Sequence, residues 1–139
     1  MPCIYTGISY NAKKYGKFKI GQTGNKYPTS RLNANEIECI YFLSCPNATP
    51  TELDLLEKLA AYTCQNLGLE LDYGRKDWFW YNIDKRYASK EAQAEKFAMT
   101  VMKRLVQFCQ EMNKPYEVRA CYLDGKRYTC AAAKLVSLS

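Results

Sequence analysis

Apolar residues recur along the chain at two spacings, and the change from one to the other marks out the elements. CIYTGIS (3–9) and GKFKIGQ (16–22) are short runs rich in β-branched and aromatic residues, joined by the polar, basic stretch NAKKY. This pattern predicts an antiparallel hairpin. IECIYFLSC (37–45) reads as a third strand. Thr49-Pro50-Thr51-Glu52 supplies a capping hydroxyl, a proline at the first helical position and a glutamate that can reach back to the cap, so a helix is predicted from there to a stop at Gly68. On a helical wheel its core face is centred on Leu53, Leu56, Ala60, Cys64 and Leu67; Glu57 lies at the edge of that face, and Asp54 and Lys58 point further toward solvent. WFWYNI (78–83) is a fourth extended run, preceded by GRKD as its turn. After Ser89, the residues Ala94, Ala98, Val101, Leu105, Cys109 and Met112 recur at helical steps until Asn113 and Pro115, which predicts a second long helix. YEVRACYLDGKRYTCA (116–131) is a hairpin around Asp124-Gly125, a dipeptide that readily supplies positive φ at a tight turn.

Together these elements predict a small α/β (α+β) fold. A mixed, mainly antiparallel sheet flanked by helices occupies residues 1–86, and a C-terminal helix and β-hairpin extension, residues 87–139, packs on it. A length of 139 residues suits one core rather than two, and 47% apolar with 24% charged residues is an ordinary globular balance. No apolar stretch approaches the roughly 18 residues of a membrane span, and the first residues lack the basic-then-apolar order of a secretion signal. The expectation is a soluble, unexported protein with no membrane partner. Seven cysteines without a CxxC pair, and no histidine, give no zinc-site spacing. Cys39, Cys64 and Cys109 fall in apolar runs, where a reduced thiol acts as a small hydrophobe, so the expected setting is the reducing cytoplasm or nucleus. Without histidine, Ser-His and Cys-His catalysis is excluded, and acid–base work falls to carboxylates, lysines, tyrosines or metal-bound water.

The net charge of +6 is unevenly spread: six basic and no acidic residues over 1–35, three and nine over 36–84, eleven and five over 85–139. Two cationic segments around an anionic one suit a polyanion held by basic groups while a carboxylate holds a cation beside it. The same distribution also describes a mixed surface that keeps a protein in solution.

Four features follow one another in the first part of the chain: Ile4-Tyr5 in the first strand, Lys19-Ile20-Gly21 in the second, Arg31-Leu32 beyond the loop, and Glu57 in the helix sequence LLEKLAAY. Asp77-Trp78-Phe79 completes the series. In this order the motifs resemble a GIY-YIG nuclease domain, closest to the short Meiotically-up-regulated-gene-113-like branch, whose second strand reads KIG and whose helix is followed by Glu-Trp-Phe. The resemblance covers roughly residues 3–83. Three positions depart from it: Cys3 stands at the first glycine, Ala61 where a histidine often follows the glutamate, and Asp77 at the last glutamate. Asn82 is a counterpart of the asparagine that closes many such sites.

The resemblance implies a divalent-metal-dependent endonuclease acting on DNA, or on RNA, with Mg2+ or Mn2+ as cofactor. Tyr5, Lys19, Arg31 and Glu57 are then its catalytic residues and Glu57 its metal ligand. Their chemistry suits the work. Phosphodiester hydrolysis needs a nucleophilic water and neutralisation of charge on the phosphoryl oxygens, and a hard cation can be held by one carboxylate and several waters. Ala60 and Ala61 beside Glu57 would leave room for an ion and a phosphate. Arg31 can give a phosphate two parallel hydrogen bonds. Tyr5 could orient the attacking water or help deprotonate it, with Lys19 lowering its pKa or stabilising the phosphate. Gly21 is structural, letting backbone pass close to a ligand or strand. Trp78 and Phe79 are aromatic core residues, and with Trp80 they offer rings on which unpaired bases could stack.

Lys13, Lys14, Lys17 and Lys26 flank the hairpin as candidate nucleic-acid contacts, and Lys96, Lys103, Arg104, Arg119, Lys126 and Arg127 could extend that track. Each catalytic candidate also has a structural reading: Glu57 as a solvated boundary residue, Arg31 on a helix surface, Tyr5 in the core, Lys19 exposed on a strand. The alternative to an enzyme is therefore a catalytically inactive nuclease-like module that binds nucleic acid or protein. IGQTG also resembles the loop of KH domains, but Tyr27-Pro28 follows too soon for a helix to start there.

Overall fold

The computed structural model describes residues 2–9, 16–25, 37–74, 77–124 and 127–135; for Ser9, Glu91 and residues 37–40, 121–124 and 127–135 it describes the backbone. Among these residues seven strands form one sheet: β1 (Cys3–Ser9), β2 (Gly16–Thr23), β3 (Ile37–Ser44), β4 (Glu70–Leu71), β5 (Trp78–Tyr81), β6 (Glu117–Asp124) and β7 (Arg127–Leu135). Two helices, α1 (Pro50–Asn66) and α2 (Lys90–Glu111), accompany it. The strand order is β4-β5-β2-β1-β3-β6-β7, and every pairing is antiparallel. The sheet thus lies at the antiparallel end of the mixed, mainly antiparallel arrangement expected. The C-terminal hairpin β6–β7 joins this sheet through β3, with Phe42 opposite Arg119 and Leu43 opposite Val118.

Local chemistry explains the helix ends. Thr49 caps α1 through both bonds of a capping box: the Glu52 N–H donates to the Thr49 hydroxyl (3.1 Å), and the Thr49 N–H donates to Glu52 Oε1 (3.0 Å). Gly68, at φ +89°, takes the left-handed conformation that lets the chain leave. Leu67, placed on the core face by the wheel, falls beyond the last helical residue and is exposed. Ser89 caps α2, its hydroxyl accepting from the Ala92 N–H, and Asn113 at φ 55° follows the helix end. Buried Gln93 then fixes the β5–α2 connection, donating to the Asn82 carbonyl (2.9 Å) and accepting from the Asp84 N–H (3.0 Å).

Both helices cover the same face of the sheet. Ile4, Ile8, Phe18, Ile20, Tyr41, Leu43, Phe79 and Tyr81 from the strands form one cluster with Leu53, Leu56, Ala60 and Cys64 of α1 and Ala94, Ala98, Val101, Met102 and Leu105 of α2. Strand alternation sends Cys3, Tyr5, Lys19, Gly21, Phe42, Trp78 and Trp80 to the opposite face. That face is not simply solvated, since Cys3, Tyr5, Phe42 and Trp78 are buried there.

One irregularity lies between β1 and β3. Tyr5 faces Phe42 but Gly7 faces Cys39, so β3 carries one extra residue. The buried Thr6 hydroxyl spans the gap, accepting from the Tyr41 N–H (3.3 Å) and donating to the Tyr41 carbonyl (2.9 Å). No helix among the described residues is long and apolar enough to cross a membrane.

Candidate functional site

Tyr5 and Gly21 sit directly opposite one another across β1 and β2. A Cβ placed on Gly21 would fall inside the Tyr5 ring, against its Cζ and hydroxyl oxygen. Glycine is therefore required here because a cross-strand ring lies over the backbone, which gives the expected close approach a definite partner. Tyr5 itself is 3% exposed.

Lys19 is paired with Gly7 on one side and Trp78 on the other. It is thus a diagonal neighbour of Tyr5, at a separation of roughly 7–8 Å for such positions. Its ammonium lies 5.4 Å from the centre of the Trp78 ring. One row further along the same face, Lys17 is paired with Trp80 and its ammonium stands 4.3 Å from that ring centre. Both contacts fall within the range of a cation–π interaction. Phe79, between the two tryptophans, turns to the helix side and is 1% exposed in the core. WFWY therefore divides its rings between the faces, with the core taking Phe79 and the lysine side taking Trp78 and Trp80.

Glu57 is carried by α1, partly exposed, with one carboxylate oxygen, Oε2, closed off from solvent. One turn earlier Asp54 accepts a hydrogen bond from the Gln22 amide (2.9 Å). Gln22 is opposite Ile4, so this bond docks α1 at the end of the sheet where Tyr5 and Gly21 pair, but on the other face. Ala60 does not open space beside Glu57: it is fully buried in the core, and Ala61 packs against that core. Ala60 itself therefore leaves no room for an ion or a phosphate, because its methyl group belongs to the core. Arg31, Lys13, Lys14 and Lys26 lie outside the described residues, as does Lys126.

Of the C-terminal cations, Lys96, Lys103 and Arg104 are exposed on α2, and Arg119 pairs with Glu117 (3.0 Å). Among the described residues no group of three or more Cys, Asp or Glu could hold a metal. Glu57 alone is a hard oxygen donor of the right kind, the minimum that Mg2+ accepts when waters fill the rest of its shell. Among the described side chains, Cys3, Cys45, Cys64 and Cys109 are buried free thiols and offer no nucleophile. Cys3, at the position of the motif's first glycine, is buried, and burial pushes its thiol up to about 12. Burial does the same to Cys64 and Cys109, also to about 12, so these thiols stay protonated at neutral pH.

Three features escaped the sequence reading. Gly16 is opposite Tyr81, and a Cβ there would fall inside the Tyr81 ring, repeating the Tyr5–Gly21 arrangement on the other face. A glycine inside an alternating strand signals such an approach, and Gly16 opens the run that Gly21 nearly closes. The two-residue strand β4 follows Gly68 and brings Glu70 opposite Trp80. Glu70 and Trp80 then line a cavity of about 260 Å³ with Gly68, Tyr81 and Asn82. Comparison of the chain with protein-family models, with curated proteins and with solved structures found no match.

Proposed function

We propose that the chain is a divalent-metal-dependent DNA endonuclease of the GIY-YIG kind, hydrolysing phosphodiester bonds. The observation that carries this reading is the register of the first hairpin. It sets CIY against KIG so that the Tyr5 ring lies over Gly21 with Lys19 on the same face, while the Gln22–Asp54 bond docks the Glu57 helix at that end of the sheet from the other face. Glu57 would hold Mg2+ or Mn2+, whose chemistry is to neutralise charge on the phosphoryl oxygens and to acidify a water. Arg31 would grip the scissile phosphate with two parallel N–H groups. The Tyr5 hydroxyl would orient the attacking water, with the Lys19 ammonium favouring its ionised form. Lys13, Lys14, Lys17 and Lys26 would hold the backbone without reading sequence. An intracellular, reducing setting goes with this reading, and the buried free thiols of Cys3, Cys45, Cys64 and Cys109 support it.

One observation favours a second reading, a nuclease-like module that binds without cutting: Tyr5 is 3% exposed, and its face of the sheet is the one turned away from α1. Incubating wild type and Glu57→Ala with plasmid and with RNA, each with and without Mg2+ or Mn2+, separates the two. The hydrolase nicks DNA only with metal, and Glu57→Ala lowers the rate by a factor on the order of 10²–10³ while binding persists. Metal-independent nicking, or equal nicking by the variant, removes the hydrolase reading; binding without any nicking leaves the module.

A further inference from the structure

The cavity at the β4–β5 edge is lined by side chains that the proposed cleavage does not use. Glu70, Trp80 and Lys17 are consecutive partners across β4, β5 and β2, so all three stand on one face. The next row places Trp78 beside Lys19. The cavity, about 260 Å³, is lined by Gly68, Glu70, Trp80, Tyr81 and Asn82. Gly68 borders open space, since a Cβ there would meet nothing within 4 Å. The volume is just below the ~300–1,000 Å³ of sites for drug-sized ligands, which suits one heterocyclic ring.

We infer that this cavity is a subsite for one unpaired guanine base of a single-stranded nucleic acid. Trp80 gives the stacking wall, since every base has a π-face. Glu70 is acceptor-only, and guanine is the base whose Watson–Crick edge offers two adjacent donors, N1–H and the 2-amino group, to a carboxylate. The Asn82 amide supplies a donor for O6. A carboxylate in the lining repels phosphate, so the base enters the cavity and its phosphates meet Lys17 and Lys19 on the adjoining strand. Aromatic walls with a carboxylate also suit a methylated ammonium ion. Here the Lys17 ammonium already lies 4.3 Å from the centre of the Trp80 ring itself and Lys19 lies 5.4 Å from that of Trp78, so a further cation would meet like charge where a nucleotide brings the opposite.

The inference shares its nucleic-acid partner with the proposed function but needs no cleavage, so it is tested by binding in the presence of EDTA. The probes are short thymidine strands carrying a single central dG or dA, followed by tryptophan fluorescence. The dG strand binds about tenfold more tightly than the dA strand, within the range of one bidentate base contact. Glu70→Gln, an isosteric change at an exposed position, brings that ratio to about one with dA binding unchanged. Trp80→Leu weakens both strands about tenfold through lost stacking. Equal binding of the two strands by wild type, or an unchanged ratio in Glu70→Gln, overturns the inference. So does displacement of the dG strand by tetramethylammonium as readily as by guanosine monophosphate, which would make the cavity a cation site. Glu57→Ala keeps the dG preference whether or not it abolishes nicking, so failure of the subsite and failure of the hydrolase reading are read separately.

Discussion

The two faces of the sheet use one packing unit in different surroundings. On the face covered by the helices, Gly16 makes way for the ring of Tyr81; on the other, Gly21 makes way for the ring of Tyr5. The Tyr81 hydroxyl donates to the Lys90 carbonyl (3.0 Å) at the start of α2, and its ring meets Phe97 edge-on at 5.1 Å, so it acts as a strut between sheet and helix. Tyr5 stands among Lys19, Trp78 and Phe42 instead. A glycine under a tyrosine is thus a packing device wherever it occurs in this molecule, and Gly21 alone says nothing about chemistry. What separates the faces is the two cations, Lys17 and Lys19, that the second face carries over its tryptophans.

The comparison breaks first at its largest residues. Phe18 on the helix side and Phe42 on the opposite side are both fully buried. Phe18→Ala and Phe42→Ala should each cost about 3–5 kcal/mol in urea unfolding, the usual range for emptying a packed phenylalanine site. A loss below about 1 kcal/mol for Phe42→Ala alone would mean that the second face is a surface layer and not a second packed layer. The glycines come next. Gly16→Ala and Gly21→Ala each drive a methyl group into a buried ring, at about 1–3 kcal/mol, and the double variant should show the sum, because the two sites lie on opposite faces. If the proposed function holds, Gly21→Ala also lowers nicking at a temperature where it remains folded, whereas Gly16→Ala does not. Equal effects on nicking would separate the Tyr5 face from the chemistry.

Lys17→Met sharpens the contrast at lower energy. It removes a cation from over the Trp80 ring while keeping an apolar stem, so the stability change should be only about 0.5–1 kcal/mol. The larger effect is on nucleic-acid binding, where one lost phosphate contact reduces the slope of log affinity against log salt by about one. An unchanged slope would leave Lys17 as a purely internal partner of Trp80.

Features written in local hydrogen bonds were legible in the sequence, and features that depend on register were not. Thr49, Glu52, Ser89 and Gly68 act within a few residues of themselves, and each does what its type and position imply. The extra residue in β3, bridged by Thr6, is invisible in the pattern because it depends on where Tyr41 falls against β1. The same holds for the Gln22–Asp54 bond and for β4, whose two residues are too few to show a period. For the site, the hairpin prediction already implied that Tyr5 and Gly21 would be near neighbours. That the ring lies on the glycine followed only from the alignment of the two strands. The wheel correctly put Ala60 in the core face, and its full burial means that Ala60 opens no space beside Glu57. Arg31 and three of the four hairpin lysines fall outside the described residues, whereas Lys17 and Lys19 are placed by their pairing with β5.

The smallest expected effect distinguishes the faces by pH. Glu52 holds the cap of α1, accepting from the Thr49 N–H and lying 3.4 Å from the Lys114 ammonium. These contacts, the Thr49 backbone bond foremost, hold its carboxyl below the ordinary value of 4.5. A carboxyl with a depressed folded pKa contributes stability above its unfolded value and loses it as the pH falls through the folded one. Wild type should therefore lose this increment on acidification from about 4.5 downward. Glu52→Gln keeps a capping oxygen but has no proton to gain, so its thermal midpoint lies below that of wild type at neutral pH, and the gap closes in acid. Wild type and variant differ only at residue 52, so the closing gap reports the helix cap alone. A gap that stayed constant with pH would assign the capping effect to geometry rather than to the charge of Glu52.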